Sequence, residues 1–136
     1  PLQAAVLRVK LSHLDAWNAR RTVLAQVYLD GLRGTGLVLP HVPDWAEPVW
    51  HLFVVRHARR DELQRALTDA GIGSLIHYPI PPHRQTAYAD ACFPADAFPL
   101  ASRLAEEVLS LPIGPQMGIG QAQTVVAAIT RTVPTL

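Results

Sequence analysis

GIGSLIHYPIPPHRQTAY, residues 71–88, is the stretch with the strongest structural signals in this chain. Gly71 is suited to end a helix, and the apolar residues after it predict a short strand from Ser74 to His77. Three prolines then restrict the backbone of a loop that carries polar rings. Because polar rings on a rigid loop are typical of binding or catalytic edges, we expect this loop to lie at a functional site.

Helices and short strands alternate on both sides of this loop. Before it, Val49 to His57 is rich in branched and aromatic residues and predicts a strand, and Arg60 to Ala70 has the apolar spacing of a helix. After it, the pattern predicts a helix, a third strand and a last helix, at Pro99–Val108, Leu109–Ile113 and Gly120–Thr132. We therefore expect an α/β (α+β) fold, in which helices pack on one face of a small three-stranded sheet.

The first third of the chain predicts a long amphipathic helix. Apolar residues recur there at steps of three or four, from Leu2 to about Leu32. Such a helix would be roughly 45 Å long, which is more than a domain of this size needs for its own core. We therefore expect the segment 1–33 to bridge to a further domain. The alternative is a helix that breaks between His13 and Asp15.

The composition is that of one folded domain. The 136 residues are 49% hydrophobic with a formal net charge of +1, which fits a single globular domain over residues 1–136 and argues against a disordered chain. No apolar run approaches the ~20 residues that cross a bilayer, and no signal-peptide pattern opens the chain. We expect a cytoplasmic protein without a membrane partner.

The charges and the single cysteine narrow the range of functions. Arg59 and Arg60 run directly into Asp61 and Glu62, so the basic residues form no nucleic-acid footprint and we expect no nucleic-acid partner. Cys92 has no second cysteine to bond, which is consistent with a reducing compartment. We expect its side chain to be buried as a small hydrophobic group.

Three polar rings of the loop are the candidate ligand-binding residues. Tyr78 can donate or accept a hydrogen bond while presenting an aromatic face, and His77 can do the same near neutral pH. These properties suit a sugar or a ring cofactor. The structural alternative is that His77 bonds a carbonyl at the strand end while Tyr78 fills space under the loop. His83 lacks metal-ligand spacing to His77 and has no acid or cysteine nearby, so we expect no metal site.

The sequence contains no clear catalytic motif. Ser74, Ser102 and Ser110 lack the Gly-x-Ser-x-Gly setting of a hydrolase nucleophile. The glycines of GLRGTG, residues 31–36, follow a predicted helix instead of a strand, so a dinucleotide-binding loop is not expected there. From the residues alone we expect a scaffold with one ligand-facing edge and no catalytic residue of its own.

The order of four segments resembles a known family. PLQAAVLRVKLSHLDAWNARR, VWHLFVVR, GIGSLIHYPIPPHRQTAY and FPLASRLAEEVLSLPIGP follow one another as in the carboxyl-terminal part of the DegT/StrS nucleotide-sugar aminotransferases. The resemblance covers nearly the whole chain. It implies the small domain of a fold type I enzyme that uses pyridoxal 5'-phosphate (PLP) to move an amino group, usually from glutamate, onto a keto-sugar linked to a nucleotide.

The resemblance also implies which parts of such an enzyme this chain holds. Family members generally work as homodimers, and a lysine of the large amino-terminal domain holds the cofactor as a Schiff base. The only lysine here, Lys10, matches a helix of the family and not its cofactor motif. We therefore expect the amino-terminal domain to be missing, and the chain alone to bind no PLP and to be inactive. The resemblance does not tell which of its residues touch the cofactor.

The matching motif gives the loop residues a place in the active site. It implies that His77 and Tyr78 lie at the small domain's edge of that site, with Tyr78 the better candidate for contact with the sugar. His83 matches the second histidine of the same loop.

Two other functions remain open. A stand-alone module could bind or sense a small molecule without catalysis. Binding of single-stranded RNA would need stacking aromatic residues, and Phe53 is the only one within a predicted strand core.

Overall fold

The computed structural model describes residues 1–94 and 96–136, which form five α-helices and a two-stranded sheet. No helix among these residues is both long and apolar enough to cross a membrane. The elements are α1 (Leu2–Leu11), α2 (Leu14–Gly31), β1 (Phe53–Arg56), α3 (Arg60–Asp69), α4 (Pro99–Glu107), β2 (Val108–Leu111) and α5 (Ile119–Thr132). Short 3₁₀ helices cover Pro82–Arg84, Thr86–Ala91 and Val133–Thr135. The predicted α+β class is confirmed.

The first predicted helix is in fact two helices. α1 and α2 are separated at Ser12 and His13, so the prediction of one continuous helix over 1–33 was wrong and the alternative, a break near His13, is correct. The Ser12 hydroxyl donates to the Val9 carbonyl (2.7 Å), and the His13 amide donates to the Lys10 carbonyl (3.0 Å). Such local bonds compete with the regular helical ladder and close α1. No residue of α1 is buried.

The described sheet has two strands where three were predicted. β1 and β2 pair in antiparallel orientation. The predicted strand from Ser74 to His77 is reduced to one bridge, between Leu75 and Ser110 on the outer side of β2. The prolines that follow cannot donate to a ladder, which explains why the pairing stops there. A second bridge joins Val38 to Arg56 on the outer side of β1.

The hydrophobic core lies between the sheet and helices α2, α3 and α5. Tyr28 of α2 is fully buried, with its ring 4.9 Å from the ring of Phe53 and its hydroxyl donating to the Pro112 carbonyl at 2.6 Å. α2 comes close to α5 at Gly31, where a Cβ would lie only 2.7 Å from a methyl group of Val126. The other large side chains that are fully buried are Leu24, Leu32, Phe53, Val55, Leu63, Leu67, Leu109 and Ile129.

The end of α3 directs the chain into the proline-rich loop. Gly71 has φ +74°, a conformation that favours glycine, and its amide donates to the Thr68 carbonyl at 2.9 Å. The Ile72 amide donates to the Leu67 carbonyl at 2.8 Å, which completes a Schellman motif. Ile72 is buried behind this cap, so the loop leaves α3 at a defined angle.

A buried arginine at the other end of α3 ties this helix to α4 and β2. Arg60 is 7% exposed and pairs with the exposed carboxylate of Asp61. Its guanidinium donates to the carbonyls of Ala105 (3.1 Å) and Val108 (2.9 Å), at the junction where α4 ends and β2 begins. A buried charge is tolerated when its donors are satisfied in this way. The junction is therefore fixed relative to α3.

Cys92 does not lie where the sequence suggested. It was predicted to be buried, but the structure places it at the surface, at the end of the 3₁₀ helix Thr86–Ala91 and with φ +48°. The prediction was wrong because it rested on the average preference of free cysteine for the interior. The short helix that precedes Cys92 is itself exposed, so it offers no core to enter.

Candidate functional site

The loop after α3 is held against β2 by His77. The His77 side chain is partly buried, and its Nδ1 lies 2.9 Å from the Ser110 hydroxyl oxygen. Two backbone hydrogen bonds join the loop to β2 at Leu75. The Leu75 amide donates to the Ser110 carbonyl (3.2 Å), and the Ser110 amide donates to the Leu75 carbonyl (2.7 Å). His77 thus bonds a side-chain hydroxyl and not the carbonyl considered in the structural alternative.

Tyr78 projects from the same point of the loop into solvent. Its side chain is 72% exposed, so it does not fill space under the loop. Its ring meets the His77 ring edge-on, with 5.5 Å between centroids and 87° between planes. The peptide bond between His77 and Tyr78 is cis. The structure therefore keeps the rings of these two predicted residues in contact, with Tyr78 exposed to solvent and His77 partly buried.

Two cavities adjoin His77. One, of about 300 Å³, lies between the loop and α4, and its lining includes Tyr78, Pro81 and Leu104. The other, of about 340 Å³, lies along the outer side of β2, and its lining includes Ser74 and Ser110. His77 contributes to both. The apolar walls and the few polar groups are typical of sites for small molecules.

His83 lies apart from the other two predicted residues. Its ring packs on Phe98 at 4.9 Å, next to Phe93, and it lines a separate cavity of about 210 Å³. Its Nε2 is buried and has no hydrogen-bond partner among the residues that the structure describes. Over the described ranges, no group of three or more His, Cys, Asp or Glu residues is placed to hold a metal ion.

Sequence reasoning missed Ser110 as a member of the site. We considered this serine only as a nucleophile and set it aside because it lacks the motif. A weaker signal was present: in Leu109–Ser110–Leu111 the alternation of a strand places the hydroxyl on the face opposite the two leucines. Ser110 is nevertheless only 4% exposed, so its hydroxyl needs a partner within the protein. His77 provides that partner.

Comparison with known proteins gives the family. Residues 1–130 match the profile of the DegT/DnrJ/EryC1/StrS aminotransferase family. The chain belongs to this family. Among its curated members, the chain is 57% identical over 129 residues to the erythromycin biosynthesis sensory transduction protein EryC1 of Saccharopolyspora erythraea. It is 50% identical over 129 residues to the dTDP-3-amino-3,4,6-trideoxy-alpha-D-glucose transaminase of Streptomyces venezuelae. Each alignment covers 94% of this chain.

Solved structures of the DegT/DnrJ/EryC1/StrS family share the fold. The S. venezuelae protein DesV, in complex with a ketimine intermediate, superposes with a TM-score of 0.93 at 49% identity, over 96% of this chain and 36% of that one. A family member from Brucella abortus superposes with a TM-score of 0.85 at 30% identity, over 93% of this chain and 34% of that one. The predicted family resemblance is confirmed. The chain spans about a third of the length of the relatives it matches.

PLP is the cofactor of this family, and the Schiff base that holds it requires a lysine amine. The only lysine, Lys10, is exposed on α1, and no residue of α1 is buried. Nothing in the part of the chain that the structure describes sets Lys10 apart as an activated nucleophile. We therefore assign no step of PLP chemistry to residues of this chain.

Proposed function

We propose that this chain forms the substrate-facing small domain of a PLP-dependent aminotransferase, which moves an amino group from glutamate to a keto-sugar linked to a nucleotide. The observation that carries the proposal is the match along nearly the whole chain to proteins named as transaminases of nucleotide-linked amino sugars, at 50% identity in one case. Others named for dTDP-linked and UDP-linked sugars are 45% and 38% identical.

In this proposal Tyr78 contacts the sugar nucleotide and His77 supports it. Tyr78 offers a hydroxyl and an aromatic face at the exposed end of a loop whose backbone is restricted by prolines. Little conformational entropy is lost when a ligand meets a loop that is already ordered, so its binding energy is retained. His83, packed on Phe98, keeps the following turn in place. The role that we give His83 is therefore indirect.

The proposal also assigns a partner to α1. Large apolar side chains of this helix are 50–81% exposed, which is unusual for a helix that packs only within its own domain. They are Leu2, Val6, Leu7, Val9 and Leu11. We propose that they pack against the lysine-bearing domain of the enzyme, and that the active enzyme is a homodimer. The chain alone then lacks both the cofactor lysine and a cover for α1.

A chimeric enzyme tests the proposal. The corresponding third of the S. venezuelae transaminase, which is 50% identical, is replaced by this chain, and the transfer of the amino group from glutamate to the dTDP-linked keto-sugar is followed. We expect turnover by the chimera, and neither turnover nor PLP absorbance from the 136-residue chain. Tyr78→Phe should raise KM for the sugar nucleotide about fivefold, the effect of one lost hydrogen bond.

Two results would contradict the proposal. The first is a chimera that dimerises and binds PLP but does not turn over the sugar nucleotide. The second is transamination by the isolated chain. Tyr88→Phe is the matched control for Tyr78, because it removes a hydroxyl from a tyrosine that is 51% exposed and lies outside the cavities next to His77.

A further inference from the structure

We propose that Ser110 is a positioning residue, which holds the His77 ring so that the edge formed by His77 and Tyr78 keeps the orientation needed to bind the sugar nucleotide. The role in substrate binding rests on the proposed function above. The hydrogen bond itself, and its effect on the ring, do not depend on that function.

The backbone around Ser110 is fixed on both sides. Within β2 it pairs with Val54 of β1, and on the outer side it bridges to Leu75. Ser110 is 4% exposed, so its hydroxyl has almost no access to water. A hydroxyl on such a residue has its position set by the sheet and can hold a partner in one geometry.

The bond to Ser110 engages one particular ring nitrogen of His77. With Nδ1 at 2.9 Å from the hydroxyl, Nε2 is the nitrogen that can meet a ligand. A serine hydroxyl can donate to a neutral imidazole or accept from a protonated one, so the bond can persist in both charge states. The bond therefore constrains the orientation of the ring in either charge state. Because Tyr78 meets this ring edge-on, the ring in turn limits where the Tyr78 side chain can lie.

Ser74 offers a matched control in the same cavity. Its hydroxyl oxygen is also buried, but it has no hydrogen-bond partner among the residues that the structure describes. Ser74→Ala and Ser110→Ala remove the same atom from the lining of one cavity. Only the second substitution removes the bond to His77. If the loss of any buried hydroxyl from this cavity perturbed His77, both variants would show the same change.

NMR of the imidazole nitrogens tests the positioning. The full chain is labelled with ¹⁵N, and the His77 signals are identified among those of the six histidines by their loss in His77→Gln. We expect Ser110→Ala to shift the Nδ1 and Nε2 resonances of His77 and to leave the other five histidines in place. We expect Ser74→Ala to leave His77 unchanged, and Ser110→Thr, which keeps a hydroxyl, to retain the wild-type signature.

An unchanged His77 signature in Ser110→Ala, or the same shift in Ser74→Ala, would overturn the proposal. If Ser110→Ala does not fold, Ser110→Cys replaces it, because a thiol occupies the place of the hydroxyl but forms a weaker hydrogen bond. The same criteria then apply to this variant.

Kinetics of the chimeric enzyme test the consequence for substrate. We expect Ser110→Ala to raise KM for the dTDP-linked sugar about fivefold and to leave KM for the amino donor unchanged. A shifted His77 signature with an unchanged KM for the sugar would overturn the role in substrate binding, while turnover by the chimera would still support the proposed function. No turnover by the unsubstituted chimera would count against the proposed function, and the NMR result would still decide the positioning.

Discussion

Replacing Tyr28 by phenylalanine should destabilise the protein at neutral pH and stop doing so at high pH. Tyr28→Phe keeps the ring that packs at 4.9 Å from Phe53 and removes the hydroxyl that donates to the Pro112 carbonyl at 2.6 Å. One hydrogen bond of this kind contributes about 1 kcal/mol to the free energy of unfolding. At neutral pH we therefore expect the variant to be less stable by about that amount.

The pH dependence follows from the burial of the hydroxyl. Burial raises the pKa of Tyr28 above the value of about 10 that tyrosine has in an unfolded chain. The unfolded state therefore loses the proton first, so the stabilisation is complete below pH 10 and declines as the pH rises above it. Between about pH 9 and pH 11 this single group should lower the free energy of unfolding by about 1.4 kcal/mol. The phenylalanine variant lacks the group and should lack this decline.

The free energy of unfolding of both proteins is measured by urea unfolding at about pH 9 and about pH 11, followed by far-UV circular dichroism and extrapolated linearly to zero urea. Other groups that titrate in this range are common to both proteins, so their effects cancel when the two free energies are subtracted. Tyr88→Phe is the control, because it removes the same atom from an exposed tyrosine. If wild type and Tyr28→Phe differ by the same amount at both pH values, the ionisation of Tyr28 is not coupled to folding and the reasoning is refuted.

Three further substitutions test the contacts that shape the domain. Gly71→Ala should lower the free energy of unfolding, measured by thermal or urea unfolding, by about 1–2 kcal/mol, because alanine is strained at φ +74°. Gly73→Ala should lower it much less, because Gly73 has open space around it and no positive φ. Arg60→Met should cost at least about 1 kcal/mol, because it leaves two carbonyls without their donor, and equal effects of Arg60→Met and Arg59→Met would contradict this. The exposed apolar side chains of α1 predict self-association of the isolated chain; light scattering should show a lower average mass for Val6→Glu, and a monomeric wild type at high concentration would refute this.

The helices that could be predicted from sequence are those whose ends are encoded locally. α3 begins within a run of charged residues and ends shortly before Gly71, and α4 begins at Pro99, so their limits were predicted to within one residue. The break between α1 and α2 was harder to predict, because the apolar period continues across it and only short-range bonds at Ser12 and His13 interrupt the helix. The predicted strand from Ser74 to His77 failed for a related reason: its composition is that of a strand, but the prolines after it prevent the ladder from extending.

Local sequence indicated which loop carries the candidate site, but it did not indicate the long-range contacts of that loop. Polar rings on a loop with restricted backbone favoured an exposed edge, but only the structure decides between an exposed Tyr78 and one that fills space under the loop. The partner of His77 does not follow from local sequence, because Ser110 lies 33 residues away and meets it only through the bridge to β2. The separation of His83 from the other two rings depends in the same way on packing against Phe98, which no local pattern encodes.

The two isolated bridges next to the sheet bear on how the molecule avoids aggregation. A two-stranded sheet would normally present two open edges, each able to add a strand from another molecule. Here Val38 pairs on the outer side of β1 and Leu75 on the outer side of β2, so both edges are partly occupied by the chain itself. Beyond Leu75 the backbone soon reaches residues without an amide hydrogen. The loop that we place against the substrate therefore also makes the edge beside it a poor template for an intermolecular strand.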